Sequence, residues 1–279
     1  MSDARMTSTG HAGSDAPWLD AHFESARAEY EEALRFVGIA PGSTVLDAGC
    51  GAGGYVPLIC ELVGARGQVT ALDLAPENVA GVERLIQEGR CAAPVDVRVG
   101  SVLDLPFADA TFDGVWCANV AQYLTEAEFT RVMGEFRRVT KPGGLVAVKD
   151  FDATLLQMLP LDPAIWARLA AARRTKAAEI GLLGGCCGPL LAPFFRRAGL
   201  VDIVRKGWLV ERWAPPPRAT HQFVTMGLRF QAGLAAEHDV PPADLEALRA
   251  AAADPDRLLD DPDFCFREAF VVTLGRVPA

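Results

Sequence analysis

Residues 45–54 read VLDAGCGAGG, a short apolar run that ends in a turn with glycine at positions 49, 51, 53 and 54. The run Thr44 to Ala48 has the length and character of a buried strand, and a helical pattern begins at about Tyr55. Glycines between a strand and a helix strip the turn of Cβ atoms, so a ligand can lie against backbone amides at the helix N-terminus. Gly49, Gly51 and Gly54 fit the spacing GxGxxG, and Asp73 falls twenty residues past Gly53, at the end of the next apolar run. That spacing also belongs to dinucleotide sites, whose acidic residue holds ribose hydroxyls.

The pattern around this turn alternates. Strands are expected at Gln68 to Asp73, Val95 to Val99, Phe112 to Ala118 and Leu145 to Phe151, separated by helices at about Tyr55 to Val63, Pro76 to Glu88 and Glu126 to Val139. Such βαβ units build a parallel sheet covered on both faces, so the fold class is α/β. One further helix is expected ahead of the first strand, from Trp18 to Val37. After Asp152 the rhythm breaks. Helices are expected at Trp166 to Ile180 and Pro189 to Ala198, and strands at Val201 to Trp213 and Phe264 to Val277. Between those strands Phe223, Met226, Phe230 and Leu234 form a helical stripe. The organisation read from this is a loose tail over 1–16, a lid helix within 17–43, a core over 44–152, and a remainder 153–279 that returns to the sheet. Cap insertions fall at about 153–187 and 214–262.

Half of the residues are hydrophobic and 23% are charged, which suits a globular chain; 27 basic against 36 acidic residues give a net charge of -9. That balance disfavours a nucleic-acid partner, which needs a basic face. No apolar run approaches the roughly 18 residues of a membrane span, so no membrane partner is expected. The first sixteen residues lack the apolar stretch of a signal peptide, and a cytoplasmic location is the expectation. Seven scattered cysteines without CxxC pairs fit reduced thiols; vicinal Cys186 and Cys187 lack partners at zinc spacing, so no metal site is expected.

Asp47 separates two readings of the glycine turn. A carboxylate on the floor of the loop repels a pyrophosphate and suits a ligand with a cationic end. Together with ALDLAPENV, GSVLDLPFADATFDGVW and RRVTKPGGLVAVKDF, in that order, the chain resembles the class I S-adenosylmethionine-dependent methyltransferases. The likeness is to the broad group of ubiquinone/menaquinone C-methyltransferases and small-molecule methyltransferases of secondary metabolism. It covers about residues 44 to 151. It implies a Rossmann-like, mostly parallel sheet of seven strands with helices on both faces, and S-adenosyl-L-methionine as cofactor.

The resemblance also implies roles. Asp47, Gly49 and Gly51 face the methionine part of the cofactor, Asp73 accepts the ribose hydroxyls, Leu74 lies on the adenine, and Gly53, Ser101, Val102 and Asn119 complete the cofactor site. Ser101 stands where an acid is frequent. Gln122 and Tyr123 stand where many relatives carry two histidines; these two residues and Phe223 are expected to border the acceptor. The acceptor itself is expected to be a small, partly apolar molecule, with O-methylation the leading outcome.

Methyl transfer needs alignment and exclusion of water, and a base only for acceptors that must lose a proton. The candidates are His22, His221 and Asp150; His11 falls in the tail and His238 precedes a Pro-Pro turn. Arg173, Arg174 and Lys176 form a basic cluster that reads as a solvated helix face, with reception of an anion as its other reading. Two further functions stand beside methyl transfer: a non-methylating cofactor-binding protein or enzyme on the same fold, and an NAD-dependent dehydrogenase.

Overall fold

The computed structural model describes residues 7–10 and 13–279. Residues 1–6, 11 and 12, and with them His11, lie outside the described part. Five parallel strands, β1 (Thr44–Ala48), β2 (Gln68–Asp73), β3 (Val95–Val99), β4 (Phe112–Ala118) and β5 (Thr140–Phe151), stand in the order 3-2-1-4-5. Among the described residues the sheet has eight strands rather than seven. The extra one is β6 (Gln157–Leu159), three residues that follow a turn after β5. β7 (Val201–Trp213) and β8 (Cys265–Arg276) finish the sheet, and β8 is the pivot. One of its edges pairs antiparallel with β7 along its whole length, while the other pairs with β5 and then with β6.

The helices follow from the same alternation. α3 (Val56–Val63) and α4 (Pro76–Gln87) are crossovers between the first three strands, and each has proline in its first turn, where no backbone N–H is lost from the helix. α5 (Glu126–Val139) starts in a capping box: Thr125 accepts from the Glu128 N–H, and the Glu128 carboxylate accepts from the Thr125 N–H. Phe129, Val132, Met133 and Phe136 on α5 pack with α7 (Ala192–Arg197) against one sheet face. Along β5 the alternation of faces is strict. Val146 and Val148 join that cluster, and Ala147 joins the opposite one.

Ahead of β1 the structure has two helices where one was expected, α1 (Ala16–Ser25) and α2 (Arg27–Val37). The break is at Ala26, which has φ -118°, and its buried methyl sits in the core beside Tyr30 and Leu34. α2 lies on the sheet, and α1 swings away to pack on α8 (Arg218–Glu237). Beyond α8 come α9 (Pro242–Ala253) and α10 (Pro255–Leu259); α6 (Pro163–Glu179) lies between β6 and α7. All seven cysteines are free thiols. No described helix is long and apolar enough to cross a membrane.

Candidate active site

The carboxyl ends of β1, β2, β4 and β5 open into a cavity of about 700 Å³, roofed by α1 and α8. Its floor at one end is the glycine turn. The N–H groups of Gly49 and Cys50 both donate to the Leu72 carbonyl, at 2.7 and 3.0 Å, and so pin the turn across β2. Gly49 and Gly51 have φ of +79° and +54°, a region where a side chain is strained. A Cβ at Gly51 would also lie 2.9 Å from Leu19 of α1, so the bare backbone is what lets the lid approach. Gly53 is different: it does not line the cavity, and its missing Cβ makes room for Val82 and Leu85 of α4. Its role is to pack the crossover helix.

Asp73 ties this end together. One of its carboxylate oxygens accepts the Gly51 N–H at 2.8 Å; the other accepts the Ala75 N–H at 2.9 Å and the Asn78 amide at 3.2 Å. A carboxylate offers about four acceptor positions, so the glycine turn is fixed while room remains for a ligand hydroxyl. Asp47 lies beneath, 1% exposed, with its Oδ2 unpartnered. Burial and the nearby Asp73 push its carboxyl up to about 8. Leu74, half exposed, and Ser101 and Val102 form the walls beyond Asp73. The Ser101 hydroxyl oxygen accepts the Leu103 N–H at 3.1 Å. A bare glycine cradle, a buried unpaired carboxylate below it and an acid at the ribose position together fit S-adenosylmethionine, whose reactive end is cationic.

The other end of the cavity is aromatic and charged. His22 of α1 is 5% exposed and lies between two rings, with Phe223 4.4 Å and Phe151 5.1 Å away between centroids. Its Nε2 is 2.8 Å from the Tyr30 hydroxyl and 3.1 Å from Glu268 Oε1. Trp18 closes the roof against Phe223 and Phe230. Asn119, with φ +60°, ends β4 at the cavity wall. Its Oδ1 accepts from the fully buried Lys149 Nζ at 2.8 Å. That ammonium also sits over the rings of Tyr30, Phe151 and Phe270 at 4.0 to 4.7 Å, and burial holds its pKa below the ordinary lysine value.

The expected residues therefore divide. Gly49, Gly51, Asp73, Leu74, Ser101, Val102, Asn119, Gln122, Tyr123, Phe223 and His22 meet on one cavity. His221 does not join them: it sits at the start of α8, 3.3 Å from Asp256 and 41% exposed. Asp150 faces the other side of the sheet. It accepts the backbone N–H groups of Phe151 and Gln122, lies beside Cys187, and burial raises its pKa. Its role is to hold the Gln122 segment. Glu268, Tyr30 and Lys149 were not anticipated. The signal was present for two of them, since Lys149-Asp150 and Arg267-Glu268 are adjacent charges inside otherwise apolar strand patterns, and the alternation of faces turns one of each pair to either side of the sheet.

The strand order, the antiparallel last strand and the glycine turn are those of a Rossmann-like methyltransferase fold. Residues 45–144 match the family described as Methyltransferase domain. Over 128 residues, 44% of the chain, it is 34% identical to a demethylmenaquinone methyltransferase of Bacillus cereus. It spans about half the length of that relative (51%). Among solved structures, phosphoethanolamine N-methyltransferase 2 of Haemonchus contortus, in complex with S-adenosylhomocysteine, superposes with a TM-score of 0.55 at 15% identity, covering 94% of this chain and 57% of that one. The [4+2]-cyclase SpnF superposes with a TM-score of 0.51 at 21% identity, covering 89% and 82%. These likenesses are of fold. His22, Phe223 and Glu268 all lie outside the matched family region.

Proposed function

We propose that the protein transfers the methyl group of S-adenosylmethionine to a small, partly apolar acceptor, and that the acceptor atom is a hydroxyl oxygen. The observation that carries this reading is the continuity of the cavity: one roofed space runs from the glycine turn and Asp73 to His22. The cofactor supplies an activated methyl group. Asp73 and the backbone of Gly49 and Gly51 would hold it, and Asp47, on releasing its proton, would offer a negative charge to its cationic end. α1 and α8 cover the site and exclude water, which otherwise competes with the acceptor.

His22 is the proton acceptor in this scheme. Its Nε2 faces the Glu268 carboxylate, and the Nδ1 makes no hydrogen bond among the described residues. An Nε2–H donated to Glu268 leaves Nδ1 as the basic nitrogen, the arrangement by which a carboxylate orients a histidine. A hydroxyl acceptor needs such a base, whereas a neutral amine does not. The test has two parts. Calorimetric titration with S-adenosylmethionine and with NADH should give binding for the first alone, and incubation with a panel of phenols and alcohols should form S-adenosylhomocysteine. NADH binding in place of S-adenosylmethionine would return the site to the dehydrogenase reading. Cofactor binding with no S-adenosylhomocysteine formed on any acceptor favours a non-methylating enzyme.

A further inference from the structure

The basic cluster at 173–176 is not a wholly solvated face. Arg173 and Lys176 of α6 both line the cavity, whereas Arg174 does not. Lys176 is 3.3 Å from Glu179 at the surface. Arg173 is partly buried and makes no ion pair among the described residues. Its setting is unusual among the partly buried arginines. Arg27, Arg138, Arg212 and Arg267 each rest on a carboxylate.

The neighbours of Arg173 leave a place for an anion. A Cβ at Gly185 would lie 2.8 Å from an Arg173 guanidinium nitrogen and 3.6 Å from Gln122 Oε1, so both polar ends lie beside a glycine that gives them room. Gln122, Gly185 and Arg173 all line the cavity. The groups that act electrically on the guanidinium are Cys186 and Tyr123, and burial pushes both upward, so both are neutral at pH 7. Of the six carboxylates that line the cavity, Asp73 is engaged on the glycine turn, Glu128 in the α5 cap, Asp152 on Thr154 and Glu268 on His22, and the other two, Asp20 and Glu237, are not among the groups that act on the guanidinium. Partly desolvated cations in folded proteins are ordinarily paired. Here the partner is missing from the protein, at a wall of the site where a ligand is expected.

The geometry points to Arg173 as the receptor for an anionic oxygen group, a carboxylate or a phosphate, on the methyl acceptor. The inference rests on the methyl-transfer reading and narrows it from a partly apolar acceptor to an acidic one. A planar guanidinium takes two oxygens of such a group at once, which fixes orientation as well as position. The acceptor then carries its anion toward Arg173 and its hydroxyl toward His22, with rings such as Phe223 beside its apolar body.

The test is calorimetric titration of the full chain with benzoate, phenyl phosphate and benzamide at millimolar concentration. Each is run with and without S-adenosylhomocysteine, so that anion binding and cofactor binding are read separately. At least one of the two anions should bind about tenfold more tightly than benzamide. Arg173→Ala should erase that preference and leave S-adenosylhomocysteine affinity unchanged, and Arg173→Lys should retain part of it. Binding of neither anion, equal binding of benzamide, or a preference that survives Arg173→Ala overturns the inference. Failure of S-adenosylhomocysteine to bind removes the cofactor reading while the anion titration still stands as measured.

Discussion

The imidazole of His22 and the carboxylate of Glu268 stand 3.1 Å apart although 246 positions separate them in the chain. One comes from the lid and the other from the sheet strand that pairs last in sequence order. Glu268→Gln keeps the shape and removes the charge that orients the ring. We expect kcat to fall by about tenfold or more in this variant, and in His22→Ala by about 10² or more, as for loss of a general base. Cofactor affinity should be unchanged in both. Steady-state kinetics beside calorimetry checks the split, and an unchanged kcat in His22→Ala would mean the proton leaves by another route.

Asp47 makes stability depend on pH. Its carboxyl sits at about 8 in the folded chain against 3.8 ordinarily, so the folded state holds more protons than the unfolded one between those values. Its contribution to stability is present at low pH and is lost as pH rises through that window. Asp47→Asn should flatten this dependence in ligand-free protein, and thermal unfolding across the window reads it. The same variant should bind S-adenosylmethionine more weakly, because the amide offers no charge to a cation. In the unchanged protein at pH 7, cofactor binding should release a proton, visible as a buffer-dependent heat.

Gly51 and Gly53 are two residues apart and should fail differently. Gly51→Ala places a methyl 2.9 Å from Leu19 at positive φ, so it should disturb the lid and lower cofactor affinity. Gly53→Ala forces a methyl toward Val82 and Leu85, 3.0 and 2.9 Å away, so it should cost about 1 to 3 kcal/mol of stability. Comparing Kd with Tm in the two variants distinguishes ligand cradle from packing. Equal losses of affinity would put Gly53 back in the cofactor site.

Asp73→Ala removes the acceptor for Gly51, Ala75 and Asn78 together with the ribose contact. Cofactor binding should weaken by about 1.5 to 3 kcal/mol, the scale for a hydrogen bond to a charged group. Because the same carboxylate ties the turn, Tm should fall as well. An affinity equal to that of the unchanged protein would place the ribose elsewhere.

Trp18→Ala takes away the ring that meets Phe223 and Phe230 and so loosens the roof. We expect KM for the acceptor to rise and kcat to drop, with cofactor affinity changed much less. A variant with unaltered kinetics would show that α1 is not a working lid.

The strands β1, β2 and β4 were legible residue for residue because a strand buried on both faces is a mostly apolar run, and β3, the sheet's edge, because VDVRV alternates with a period of two. The cofactor end of the site was legible for the same reason of locality: Asp47, Gly49, Gly51 and Asp73 lie on two successive strand ends. The break at Ala26 was not, since neither glycine nor proline marks it; α1 turns there only because α8, two hundred residues later, is there to receive it. Glu268 was missed because its meaning depends on His22, and Arg173 was read as solvated because spacing along a helix does not say where a cavity opens. Asp150 drew notice as a charge at a strand end, but the alternation of β5 sends it to the face away from the cavity.

The placement of β8 between β5 and β7 has a consequence for how the chain is made. While residues 1–260 are emerging from a ribosome, β5 and β7 have no common neighbour, and β6 has no partner at all. The first five strands can zip as they appear, but β6 and β7 wait for 265–276. During synthesis α1 has a finished glycine turn to lie on and no Glu268 to meet. A chain that ends short of β8 thus contains the glycine turn and Asp73 but lacks Glu268, and its open strand edges are a template for pairing with other chains.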